Sequence, residues 1–212
     1  MITKSRTWFV SALALFASTV GMLLTARAAP AQTLSGGALI TALRQGGYII
    51  VMRHASSPRE VPDKQTAHVD NVNLERQLDE AGRASATAMG RALRDLRIPV
   101  GEVLTSPTYR ALETVRLAQF PDPKTYTELG DGGQSMQDVA EAQGAWLQRR
   151  VTEAPMGTNT VIVTHLPNIA RAFPQLAPGL ADGEALIFAP NGKGGATPVA
   201  RIKIEQWPDL RL

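Results

Sequence analysis

The sequence predicts an α/β layer fold on a mainly parallel sheet, and three observations carry that expectation. Short, continuously apolar runs stand at 48–52 (YIIVM) and 160–163 (TVIV), the pattern of strands buried on both faces. Longer segments with apolar residues at helical spacing separate them, among them 80–96 with Ala86, Met89, Leu93 and Leu96 on one face. Strand and helix alternate along one stretch of about 180 residues, enough for a single domain with a proper core.

The first 31 residues stand apart. Lys4 and Arg6 form a basic head, Trp8–Leu24 is an uncharged apolar run, and small residues follow at once. That order is the pattern of a secretory leader, with cleavage expected after Ala28 (Ala26-Arg27-Ala28) or Ala31 (Ala29-Pro30-Ala31). The competing reading is an uncleaved anchor, for which the run is near the shortest that spans a bilayer. With neither a Cys for lipidation nor a twin-Arg pair, the ordinary secretory route is expected. The mature protein, residues 32–212, would then be periplasmic or secreted, with no stable membrane insertion.

The leader also distorts the charge. The chain has 22 Lys+Arg against 19 Asp+Glu, net +3. Lys4, Arg6 and Arg27 all fall in the acid-free leader, so the remainder is balanced at 19 of each sign. No basic run interleaved with aromatics appears later, and no nucleic-acid partner is expected. Zero Cys excludes disulfides and thiolate metal sites.

Taken in order, Ala38–Arg44 has helical spacing and stops at Gly46-Gly47. Tyr48–Met52 is the first strand, and Arg59–Asn73 a polar loop carrying His68, which reads as solvated. Asp79 is placed to cap a helix running to about Leu96. Val103-Leu104 makes a second short strand and Tyr109–Ala118 a helix. Phe120–Gly133 is broken by Pro121, Pro123 and Gly130, and Met136–Val151 returns to helix. Thr160–Val163 is a buried strand and Ile169–Phe173 a short helix. Ala185–Phe188 and Val199–Ile204 are two last strands, antiparallel because only the turn around Asn191-Gly192-Lys193-Gly194-Gly195 joins them. That turn lacks the GK[ST] ending of a phosphate loop.

Two of the three His follow buried strands: His54 after YIIVM, with Arg53 between, and His165 after TVIV. Ligands of open α/β sheets bind beyond the carboxyl ends of strands, so both imidazoles can reach one crevice. A third strand ends at Thr105-Ser106-Pro107, with Arg110 in the first turn of the next helix. Two guanidiniums offer forked donors to a phosphoryl dianion. A neutral imidazole is a competent nucleophile at phosphorus, and a second can stabilise charge as the group transfers. The close His and carboxylate spacing of zinc hydrolases is absent, so no metal and no cofactor are expected.

These residues lie in recognisable blocks. VMRHASSP (51–58) resembles the signature of the histidine phosphatase superfamily, in the R-H-A form of some small members. TSPTYRALETV (105–115) is similar to its S-P-x-x-R-A-x-x-T element, VTHLPNI (163–169) to the segment with its second His, and QLDEAGRASA (77–86) to its L-x-x-x-G-x-x-x-A helix start. The blocks occur in family order, and the similarity runs through GEALIF (183–188) to the end. The resemblance implies a single three-layer α/β/α domain of the phosphoglycerate mutase-like type. It makes His54 the phosphate acceptor, places Arg53, Arg110 and His165 around the phosphoryl oxygens, and gives Ser57 a hydrogen bond to phosphate. Ser106 and Thr114 would shape the loop and helix around Arg110, while Asn168 stands where it either lines the pocket or caps a helix.

Two departures from the family pattern stand out. Ala55 replaces the usual Gly, as in small phosphohistidine phosphatases and related exported members. The usual proton donor has no clean counterpart; Glu128 in TYTELGD is the first candidate and Asp131 the second. The expected activity is metal-independent hydrolysis of phosphate monoesters or phosphoramidates through a phosphohistidine, on a small phosphorylated substrate or a phosphorylated envelope component. The alternative is a phosphate-binding or regulatory protein that keeps the pocket and turns over weakly. A mutase role is disfavoured by export and by chain length.

Overall fold

A computed structural model describes residues 33–58, 75–131 and 140–212. The expected leader, the expected loop over 59–73 with its His68, and the first turn of the helix expected from Met136 lie outside the described residues. The segment from Ala31 to Leu212 forms one compact unit.

Its elements are α1 (Gly36–Gln45), β1 (Ile49–Arg53), α2 (Glu80–Asp95), β2 (Val100–Thr105), α3 (Tyr109–Ala118), β3 (Lys124–Thr125), α4 (Ala140–Arg150), β4 (Asn159–Thr164), α5 (Leu166–Ala172), β5 (Ala185–Pro190) and β6 (Ala196–Ile202). Short 3-10 turns at Thr127–Leu129 and Ile204–Asp209 complete them. The six strands form one sheet in the order β3-β2-β4-β1-β5-β6. β1, β2, β3 and β4 are mutually parallel, β5 runs antiparallel to β1, and β6 runs antiparallel to β5. The expected mainly parallel sheet and antiparallel final pair are both present.

The sheet is covered on both faces, which is why its central strands read as unbroken apolar runs. Ile50, Met52, Val161 and Val163 pack with residues of α1, α2 and α3 and with Trp207. Ile49, Val51 and Ile162 pack with Leu147 of α4 and Ile169 of α5 on the opposite face. Two glycines permit the closest approaches. A Cβ on Gly90 of α2 would lie 2.0 Å from the Ala118 carbonyl oxygen of α3, and one on Gly82 would lie 2.1 Å from that of Ser56. The second contact seats the start of α2 directly on the loop that follows β1. Among the described residues, no helix is long and apolar enough to cross a membrane.

Candidate active site

β1, β4 and β2 are neighbours, and their carboxyl ends deliver His54, His165 and Ser106 side by side. The backbone ladder continues past the strands to hold them. His54 N–H donates to the Thr164 carbonyl at 3.0 Å and Ser106 N–H to that of Val163 at 3.0 Å. From the β5 side, Gly183 N–H donates to the His54 carbonyl at 2.8 Å and Arg53 N–H to that of Glu184 at 3.1 Å. The two imidazoles stand with ring centroids 5.2 Å apart and planes tilted by 59°.

The protonation pattern of His54 follows from its neighbours. Nδ1 lies 2.8 Å from the Ala55 carbonyl oxygen, which can only accept, so the ring proton sits on Nδ1. Nε2 is then the basic nitrogen, and it faces Arg110 Nε at 3.3 Å and Arg76 Nη2 at 3.5 Å. Burial pushes the His54 pKa well below its usual 6.5, Arg110 pushes it further, and Arg53 and Arg76 add to this against the Ala55 hydrogen bond. A neutral imidazole whose basic nitrogen faces guanidiniums is suited to attack on a phosphoryl group.

Arg110, in the first turn of α3, is 1% exposed. Its Nη2 donates to Asp131 Oδ2 at 2.9 Å and lies 3.3 Å from His165 Nδ1. On the far side of that ring, Nε2 meets Ser106 Oγ at 2.9 Å and Thr108 Oγ1 at 3.2 Å. Hydroxyls donate or accept, so His165 can present Nδ1 as an acceptor to Arg110 or as N–H to an anion. Burial lowers the His165 pKa well below 6.5, with Arg110 next in effect and then His54. Thr114 ties the two halves together: it accepts from Ala55 N–H at 3.0 Å and donates to the Arg110 carbonyl at 2.8 Å.

The remaining residues singled out in the sequence are placed differently. Arg53 reaches the same strand end, where its guanidinium meets Asp182 at 2.6 Å and the Leu180 carbonyl at 3.3 Å. Ser57 donates its hydroxyl proton to the Gln77 carbonyl at 2.7 Å and accepts from Arg76 Nε at 3.1 Å, so that proton is already committed within the protein. Glu128 sits on a 3-10 turn with its carboxylate against Thr127 Oγ1 at 3.3 Å. Among the described residues, no hydrogen bond or ion pair joins that carboxylate to His54, His165 or Arg110. Asp131, the second candidate acid, is buried at 1% exposure in its ion pair with Arg110. Asn168 Nδ2 donates to the Glu128 carbonyl at 2.7 Å, and Thr164 Oγ1 donates to that of Leu129 at 2.8 Å. These bonds pin the turn that carries Asp131.

Sequence reasoning missed Arg76, Glu75, Thr108 and Asp182. Glu75 is 1% exposed and accepts from the backbone N–H of Tyr109, fastening the segment with Arg76 to the start of α3. The available signal was a charged pair standing just before Leu78, which is buried in the core. Among the described residues, no three His, Cys, Asp or Glu side chains gather as a metal site.

Residues 49–122 match the model of the histidine phosphatase superfamily (branch 1), so the resemblance read from the sequence is shown over the span that carries Arg53, His54, Arg76 and Arg110. No curated protein matches the chain significantly. Solved structures similar to it include the protein histidine phosphatase SixA complexed with tungstate, at 17% identity and TM-score 0.57, covering 75% of this chain and 98% of that one. Another is YhfR of Bacillus stearothermophilus, at 17% identity and TM-score 0.53, with coverages of 71% and 94%. A third is a variant of a phosphoserine phosphatase from Entamoeba histolytica in complex with phosphoserine, at 12% identity and TM-score 0.51, with coverages of 74% and 98%. At such identities the likeness is one of fold, and the fold is that of the histidine phosphatases.

Proposed function

We propose that this chain is an exported phosphatase that hydrolyses phosphate monoesters or phosphoramidates through a phosphohistidine on His54. The observation that carries the reading is Nε2 of His54, basic because Nδ1 is bonded to Ala55, and facing the Arg110 guanidinium, with both residues buried. In the first half-reaction Nε2 forms a bond to phosphorus as the bond to the leaving group breaks. Arg110 holds phosphoryl oxygens, and His165 donates from Nδ1 as charge spreads onto them. In the second, water attacks the phosphohistidine; the N–P bond breaks, inorganic phosphate departs, and His54 recovers its neutral form.

Leaving-group protonation bears on the substrate. Among the described residues, no hydrogen bond or ion pair joins the Glu128 carboxylate to this set, and Asp131 serves Arg110 as an acceptor. With no acid positioned for the leaving group among the described residues, the reading favours leaving groups that depart with little help. Phosphoramidates, such as the phosphohistidine implied by the names of several fold neighbours, fit that condition better than alkyl phosphates. The same feature supports the alternative reading, a phosphate-binding regulator with weak turnover. The reaction as drawn uses no metal, so activity should survive EDTA.

Rapid quenching at alkaline pH, where phosphohistidine survives, tests the covalent step. With a radiolabelled phosphoramidate as donor, label should appear on the peptide containing His54. His54→Ala should abolish labelling and turnover while phosphate still binds through Arg110. Turnover without label on His54, or an active His54→Ala protein, sinks the mechanism. Labelling without hydrolysis would favour the regulator.

A further inference from the structure

We propose that Arg76 is an additional guanidinium on the transferred phosphoryl group, and that Ser57 acts by aiming Arg76 instead of touching substrate. The inference rests on the phosphatase reading above and deepens it. For in-line attack, phosphorus must come within about 3–3.5 Å of the nucleophilic nitrogen, with three equatorial oxygens spread around the axis of attack. Nitrogens packed around Nε2 of His54 therefore lie beside those oxygens. Arg110 Nε, at 3.3 Å, comes from α3. Arg76 Nη2, at 3.5 Å, comes from the segment leading into α2. Both contacts are long for nitrogen against nitrogen, whereas an oxyanion in the same place would accept short, charge-assisted bonds from each.

The surroundings of Arg76 serve to position it. The residue is 8% exposed, so its fork does not sweep through solvent. Its Nε donates to Ser57 Oγ at 3.1 Å, which fixes the plane of the guanidinium and turns Nη2 toward His54. Ser57 is held in turn by donating to the Gln77 carbonyl at 2.7 Å. A hydroxyl has one proton, and here the carbonyl of the chain next to Arg76 takes it. Glu75 and Asp79 anchor the two ends of this short segment. Glu75 does so on Tyr109 N–H at the start of α3, and Asp79 by accepting from Ser56 Oγ at 2.7 Å. The chain thus brings Arg76 to the nucleophile by tethering it to the loop of His54 and to the helix of Arg110.

Calorimetric binding of orthovanadate, which needs no turnover, is the primary test. Arg76→Gln should weaken vanadate binding roughly tenfold to a hundredfold, the worth of one charged hydrogen bond, and should lower kcat/KM at least as much. Arg76→Lys should recover part of the binding, because charge returns without the fork. Ser57→Ala should weaken binding severalfold in the parent protein and have no further effect beside Arg76→Gln. Unchanged vanadate affinity in a folded Arg76→Gln protein overturns the role of Arg76. A full Ser57→Ala effect in the Arg76→Gln background overturns the positioning role and returns Ser57 to the substrate. Should Arg76→Gln fail to fold, the same cycle is run on Arg76→Lys, where additivity again overturns the positioning role. If the parent protein binds neither vanadate nor phosphate, the phosphatase reading itself falls, and this inference with it. Vanadate binding that Arg76→Gln leaves untouched isolates the failure of the inference alone.

Discussion

At the scale of residues, the two imidazoles determine how the site should respond to pH. Burial, and then the Arg110 charge, hold both well below 6.5 in the folded protein. Unfolded, each would titrate near 6.5, so below that pH the unfolded chain binds more protons than the folded one. Stability should therefore fall as pH drops through 6.5, by at most about 1.4 kcal/mol per pH unit for each imidazole, until the depressed folded values are reached. Urea unfolding at a series of pH values between 5 and 7 measures that slope; a flat profile would mean imidazoles in ordinary solvent. By the same logic, kcat/KM corrected for substrate ionisation should hold below pH 6.5 and fail only when Nε2 of His54 takes a proton. The acid question has its own test. Asp131→Asn should slow alkyl and nitrophenyl phosphates equally, because it loosens Arg110 and leaves the departing group unaffected, while Glu128→Gln should slow neither. A loss confined to alkyl phosphates would make the mutated residue the acid. His54, His165 and Arg110 were legible because each follows a strand end or opens a helix with a recognisable pattern. Arg76 was not, because no periodic pattern leads up to it and its significance is purely spatial.

At the scale of elements, α2 does more than cover the sheet. Asp79 caps it by accepting from Gly82 N–H at 2.6 Å, and its other carboxylate oxygen holds Ser56 of the nucleophile loop. Gly82 lets this helix start rest on the Ser56 backbone with no room for a methyl group. Gly82→Ala should cost about 1–3 kcal/mol of stability by overpacking, seen in urea unfolding, and should lower kcat by displacing the loop that holds His54. Asp79→Ala should cost about 1 kcal/mol as a lost cap. If Gly82→Ala unfolds like the parent and keeps its rate, the helix does not support the loop. The sequence showed α2 and its cap, because amphipathic spacing and an Asp at the right place are local signals. It did not show β3, whose two residues are both exposed and owe their pairing with Leu104 and Thr105 to the neighbouring strand. β2 likewise begins three residues before its expected start, since Val100-Gly101-Glu102 has no apolar run and a register shift separates its pairing with β4 from that of Val103. Short edge structure is dictated by what it pairs with, and that information lies elsewhere in the chain.

At the scale of the whole molecule, the described fold is built from residues after Gln32. Every residue assigned to the site belongs to the compact unit Ala31–Leu212. Its first described tie is the Leu34 N–H bonded to the Val199 carbonyl at 2.6 Å, and Leu34 also packs against the core. A cut before Ala29 or Gln32 would leave that bond intact. It would remove Lys4, Arg6 and Arg27, turning a chain of net +3 into one with balanced charge. With no Cys to form a disulfide, an exported form would rely on its two apolar layers and its hydrogen bonds, without a covalent cross-link. Protein beginning at Gln32 should accordingly melt with the full chain and hydrolyse the same substrates at the same rate, because every described residue of both layers and of the site follows Gln32. Mass spectrometry of the native protein should find Ala29 or Gln32 at its N-terminus, in an extracytoplasmic fraction. An intact Met1 on a membrane-retained chain would instead make the apolar run an anchor. The pocket would then work tethered at the bilayer, with the same chemistry confined to substrates that reach the membrane surface.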